Sequence, residues 1–268
     1  MTPPAPWRVC SAAVVGRSHR ENGLGCQDCC LCGCLRRGGR TFAVGVVADG
    51  AGSSRHGRLG AQLACKALWA SAGRLAKYYP QLGCVGRDQV VAVFREARDS
   101  ILGRARRRVA RDYATTAALA ILGPDGCVFA SVGDSVLVTR GPSGYQPVFW
   151  PENGEFASTT SFLTEGDFGD HLQFEARSSA VEELAMFTDG LSPVALNLGL
   201  RAAHGPFFSP LFLQLTAASR RRTPRRDVER GLRRFLSSEA LERRLEDDRS
   251  LVLICSRKRG SGGGDLRR

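Results

Sequence analysis

A chain of 268 residues with 43% hydrophobic content can bury a substantial core, which excludes an intrinsically disordered protein. The net charge of +12 comes from 38 basic residues, of which only Lys66, Lys77 and Lys258 are lysine, against 26 acids. It is concentrated in Arg95–Arg111, Arg220–Arg244 and Arg257–Arg268, whose combined excess is larger than +12, so the rest of the chain is mildly acidic. No apolar run reaches the length of a membrane span, and the first ten residues lack a basic segment followed by an apolar stretch, so a cytoplasmic protein without a membrane partner is expected. Ten cysteines form no regular framework and are expected to be reduced.

In chain order, Trp7–Val15 reads as a first strand, followed by a turn at Gly16–His19. Cys29–Cys34 and Thr41–Ala48 read as a hairpin around Arg36-Arg37-Gly38-Gly39, and the second strand must stop at Asp49-Gly50-Ala51-Gly52. Leu59, Leu63, Ala67 and Leu68 recur at helical spacing within Gly57–Tyr79, a helix closed by Pro80. A second helix fits Asp88–Arg108, with Val90, Phe94, Ala97 and Ile101 on one face and arginines on the other. Thr115–Leu122, Cys127–Val132 and Ser135–Thr139 then read as a meander of three strands, and Leu172–Arg177 and Glu183–Thr188 as two more. Helices near Pro210–Ser219 and Pro224–Ser237 precede a last strand, Ser250–Ser256, and a Gly/Arg tail, 257–268, expected to be disordered. Antiparallel blocks separated by helical pairs make the class α+β, with one domain over residues 7–256.

The chemistry lies at the strand ends. Asp28 opens a strand, Asp49, Asp134 and Asp189 each close one, and Asp247-Asp248 precede another. Any single Asp-Gly or Gly-Asp pair is more often a turn than a ligand. Five strand ends carrying an acid would, however, crowd like charges together unless cations neutralise them, and oxygen-only ligands favour Mg²⁺ or Mn²⁺ over zinc. Cys26, Cys29 and Cys32 have zinc-like spacing, but they lie on a strand with alternating side-chain directions and no second ligand pair, so ordinary strand residues are favoured. The arginine clusters lack the aromatic interleaving of a nucleic-acid reader, and a rim that attracts acidic, phosphorylated substrates is the better reading.

Six segments in order, His19–Asp28 (HRENGLGCQD), Val47–Gly52 (VADGAG), Ala114–Thr116 (ATT), Val132–Ser135 (VGDS), Phe187–Leu191 (FTDGL) and Asp247–Ser250 (DDRS), resemble the metal-dependent serine/threonine phosphatases of the protein phosphatase 2C type. The spelling around Ser18-His19 and Cys26-Gln27-Asp28, with Phe156–Leu163 (FASTTSFL), is similar to the bacterial branch. The resemblance implies two packed antiparallel sheets flanked by helices, an α-β-β-α sandwich, with two or three Mn²⁺ or Mg²⁺ ions at one edge. It implies that Asp49 bridges two metals with the Gly50 carbonyl on one of them, that Asp189 and Asp247 complete the other shell, and that Asp134 with Asp189 holds a third. Asp49 and Asp189 would act through a metal-bridging water that attacks phosphorus in line.

Three positions depart from the family pattern. Gln27-Asp28 stands for Glu-Asp, which weakens the second metal or shifts it onto Asp28. Either His19 or Arg20 takes the place of the phosphate-contacting arginine, with His19 favoured. Ala51 stands where many eukaryotic members carry a histidine acid. The expected function is hydrolysis of phosphoserine and phosphothreonine on protein substrates, opposing a serine/threonine kinase; the rival is an inactive pseudophosphatase that binds phosphoproteins as a signalling module.

Overall fold

The computed structural model describes residues 6–105, 109–151 and 160–257. Twelve strands and seven α-helices are found among them. The end of the second expected helix, most of the expected basic tail and the first half of the Phe156–Leu163 segment lie outside the described residues.

Two five-stranded antiparallel sheets form the centre. The first has the order β1 (Trp7–Val14), β12 (Arg249–Ser256), β9 (Glu183–Phe187), β6 (Val136–Gly141), β7 (Gly144–Pro147); the second runs β2 (Cys29–Arg37), β3 (Arg40–Ala48), β4 (Ala117–Leu122), β5 (Cys127–Val132), β8 (Gln173–Arg177). The β2–β3 turn is Gly38-Gly39, both at positive φ (54° and 74°), the backbone that a two-residue hairpin needs.

β3 is nearly all apolar because both of its faces are covered. Phe42, Val44, Val46 and Ala48 pack against α2 (Gly57–Tyr78) and α3 (Arg87–Ala105), while Ala43 and Val47 face the other sheet. Gly45 between them lets the sheets close, since a Cβ there would stand 2.7 Å from Met186 Sδ. β12 is the mirror case: Val252 and Ile254 point between the sheets, and Leu251, Leu253 and Cys255 point toward α5 (Gly205–Arg220) and α6 (Arg225–Leu236). Each fully buried Val or Leu of these layers contributes about 1.5–3 kcal/mol relative to exposure, and that apolar burial holds the four layers together. The arginines of α6 lie on its outer face, with Leu232 and Leu236 inward.

Two expectations are corrected. The three strands after Thr115 are not one meander: β4 and β5 pair in the second sheet, whereas β6 pairs with β9 and β7 in the first. Gly133, at φ 98°, makes the crossing, a backbone that a side chain would strain. Gly16–His19 is no simple turn, because α1 (Arg17–Glu21) forms there, seated by Ser18 N–H on Glu246 O at 3.0 Å. The helix expected near Pro210 is longer in both directions, with Pro210 one turn inside it. The remaining short elements, α4 (Ser192–Ala195), β10 (Leu196–Asn197), β11 (Ala202–Ala203) and α7 (Glu239–Glu242), were not anticipated.

Candidate metal and phosphate centre

The acids fall at one end of the sandwich because neighbouring strands stop there. Asp49 follows β3, Asp189 follows β9, Asp134 precedes β6, Asp28 precedes β2 and Asp247-Asp248 precede β12. Each is fixed by its own backbone or by a hydroxyl beside it. Asp49 O accepts from Thr116 N at 2.8 Å and Thr115 Oγ1 at 2.8 Å, and Asp49 N donates to Thr116 Oγ1 at 3.1 Å. Thr188 Oγ1 donates to Asp28 Oδ2 at 2.7 Å and lies 3.1 Å from Ser250 Oγ. Thr160 Oγ1 donates to Asp134 Oδ2 at 2.9 Å.

Electrostatics report the convergence. Burial raises the Asp49 carboxyl well above its usual range, with Asp28, Asp189, Asp247 and Asp134 adding repulsion. Asp28 is raised the same way by burial, partly opposed by the Thr188 hydrogen bond, with Asp248, Asp189 and Asp247 contributing. Burial, then Asp134 and Asp247, lifts Asp189 to about 6, opposed by its hydrogen bond with Asp49. Asp134 is also raised, by burial first. Asp28 Oδ1 and Asp134 Oδ1 are buried and have no hydrogen-bond partner. Crowded carboxylates with bare buried oxygens form an all-oxygen donor set, and a hard divalent cation satisfies it. The donor set therefore fits Mg²⁺ or Mn²⁺.

Asp247 and Asp248, adjacent in sequence, serve different ends. Asp247 is exposed, whereas Asp248 is 2% exposed and accepts from Gly16 N at 2.6 Å and Gln27 N at 2.5 Å. His19 Nδ1 lies 2.9 Å from Asp248 Oδ2, an ion-pair distance outside hydrogen-bond alignment. The ligand atoms of His19, Asp247 and Asp248 lie within 4.8 Å of one another, so His19 reaches the edge of the acidic cluster. Arg20 does not; its Nη2 binds Glu242 Oε1 at 3.0 Å. His56 packs its ring on Tyr113, with centroids 5.0 Å apart.

Gly50 and Gly190 are required by close backbone approach. A Cβ on Gly50 would stand 2.2 Å from Gly57 C, and one on Gly190 would stand 1.9 Å from Asp248 O. The turn after Asp49 is thereby pressed onto the start of α2, and the turn after Asp189 onto the backbone before β12.

Sequence reasoning gave no role to Asp248, Thr188, Thr160, Thr115 or Thr116. The threonines of ATT and FTD and the second acid of DDRS carried the signal, but only their contacts reveal the task. The cysteines of β2 take part in no metal-type cluster among the described residues; all ten described cysteines are free, and Cys65 donates to the Cys29 carbonyl at 3.3 Å.

Comparison with known proteins agrees with this geometry. The family described as Protein phosphatase 2C matches residues 15–237. The chain is 33% identical over 258 residues to Serine/threonine-protein phosphatase 3 of Escherichia coli strain K12, covering 92% of this chain and 97% of that protein. Among solved structures, the serine/threonine phosphatase of S. agalactiae superposes with a TM-score of 0.61 at 14% identity, covering 94% of this chain and 100% of that one. The catalytic domain of serine threonine protein phosphatase PstP, in complex with two manganese ions, superposes with a TM-score of 0.59 at 16% identity, covering 93% and 97%.

Proposed function

The chain belongs to the protein phosphatase 2C family, and we propose that it hydrolyses phosphoserine and phosphothreonine on proteins with divalent cations held by its strand-end carboxylates. The observation that carries the reading is the convergence of Asp28, Asp49, Asp134, Asp189 and Asp247, with their carboxyls lifted by burial and repulsion and two buried oxygens unpartnered. The manganese bound by the PstP domain supports the choice of metal.

Asp49, the Gly50 carbonyl, Asp189 and Asp247 would hold two cations, with Asp28 beside them, and Asp134 with Asp189 a third. Such cations, when bound, supply an activated water and positive charge for the phosphoryl oxygens. The chain's own residues orient the rest. Asp28 is held by Thr188, Asp49 by Thr115 and Thr116, and His19 stands at the cluster's edge to receive a phosphoryl oxygen. The exposed arginines of α6 give acidic phosphoprotein segments a favourable approach. The reaction opposes that of a serine/threonine kinase, and the ten free thiols suit the cytoplasm.

The test is hydrolysis of p-nitrophenyl phosphate and a phosphothreonine peptide with Mn²⁺ titrated from zero. Asp49→Asn and Asp189→Asn should each lower the metal-dependent rate by about a hundredfold or more, a loss of several kcal/mol of transition-state stabilisation, with circular dichroism unchanged. Wild-type rates in either variant would refute the assignment. Cation binding without turnover in the wild type would favour the phosphoprotein-binding module, the reading that Gln27 invites.

A further inference from the structure

Gln27 stands where the family carries an acid, and its surroundings give the amide a use of its own. The side chain is 9% exposed, and its backbone is pinned by the Asp248 carboxylate. Oriented with its amide nitrogen toward the turn after Asp49, it donates to Gly50 O at 2.8 Å and Ala51 O at 3.2 Å. The end of the amide is walled in by the start of α2, 3.0 Å from where a Cβ on Gly57 would stand. A glutamate could not make these contacts, because an ionised carboxylate only accepts, and it would add a charge beside Asp28 and Asp49, whose carboxyls are already crowded.

We propose that Gln27 is an amide latch on the Gly50 carbonyl: without metal it satisfies that carbonyl through nitrogen, and a cation reaches the carbonyl only when the amide turns over to present Oε1. This rests on the phosphatase reading above, which places a cation at Gly50. The turn is about a terminal sp³–sp² torsion, which is broad and two-fold, so both states fit one cavity. An N–H aimed at the carbonyl occupies the lone pair that a cation needs and repels the cation. The site at Gly50 is therefore the weaker one, filled last as the cation concentration rises, and Gln27 sets its affinity.

Calorimetric titration of the whole chain with Mn²⁺ tests this on the wild type, Gln27→Glu and Asp49→Asn. The latch predicts that Gln27→Glu tightens the weaker class of site by about tenfold, the scale of one hydrogen bond released and a ligand charge gained. The same variant should melt at a lower temperature in EDTA, where it loses the donor and gains repulsion. In the wild type, the Gln27 side-chain amide resonances, identified by their loss in Gln27→Glu, should shift on saturation with diamagnetic Mg²⁺. Unchanged affinity of the weaker class in Gln27→Glu overturns the latch, as do amide resonances that stay still on saturation. Asp49→Asn separates the two levels: if it abolishes binding while Gln27→Glu changes nothing, the latch alone fails, and if it binds as the wild type does, the metal centre and the latch fail together.

Discussion

Asp248 commits its whole carboxylate to the chain it belongs to, with Gly16 N on Oδ1 and Gln27 N and His19 Nδ1 on Oδ2. It joins the start of α1, the segment before β2 and the imidazole at the cluster's edge, while its exposed neighbour Asp247 is left for a cation. Substitution of the two acids by asparagine should separate these tasks. Asp248→Asn keeps one acceptor oxygen where two are in use, and a buried N–H left unmet costs about 1–3 kcal/mol, so the EDTA-treated protein should lose several degrees of melting temperature. Asp247→Asn should leave that temperature unchanged or higher and weaken Mn²⁺ binding instead. His19→Ala should fold normally and lose about tenfold to a hundredfold in kcat/KM, mostly through KM, as expected for one contact to a charged phosphoryl oxygen. Equal melting temperatures for the two asparagine variants would contradict the division of labour, as would a His19→Ala enzyme with an unchanged KM.

At the scale of elements, the glycines at strand ends make the site rigid. Gly190→Ala would force a methyl to within 1.9 Å of the Asp248 carbonyl, which cannot move without dislodging Asp189 or β12. Expected are a loss of about 1–3 kcal/mol in urea unfolding and a collapse of metal-dependent turnover. Gly103→Ala is the control: it lies inside α3 with nothing within 4 Å of a new Cβ, and should gain about 0.5–1 kcal/mol without touching activity. The contrast also shows which elements could be read from the chain. β1, β3, α2 and β12 were legible because alternation or helical spacing follows burial directly, and the acids were legible because Asp beside Gly ends strands conspicuously. The crossing at Gly133 was not, since β6 looks the same whether it continues one sheet or opens the other; only its pairing with β9 decides. Nor was α1, five residues long and held by Glu246 and Asp248 from the far end of the chain. The roles of Thr188 and Asp248 were hidden for the same reason, because partners separated by 160 and 232 residues leave no local pattern.

For the whole molecule, the acidic cluster opposes the stability that the layered core supplies. Asp189 has an ordinary carboxyl value of 3.8 when unfolded and about 6 in the fold. Between those values the folded chain binds more protons than the unfolded one, so this group's contribution to stability falls as pH rises through about 6 and stays unfavourable above it. Divalent cations should reverse the sign by binding the folded state alone. Asp189→Asn removes the charge and the ligand together, and the order of stabilities should therefore depend on the solution. In EDTA at pH 7.5 the variant should be more stable than the wild type, with the gap closing toward pH 4, where Asp189 of the folded wild type is already protonated. With saturating Mn²⁺ at pH 7.5 the wild type should gain the larger increment and overtake it. Urea unfolding at the two pH values, with EDTA and with Mn²⁺, measures all four cases. A wild type that is the more stable of the two in EDTA at pH 7.5 would mean that the carboxylates are neutralised from within the chain, and the argument for cations at the strand ends would lose its electrostatic basis.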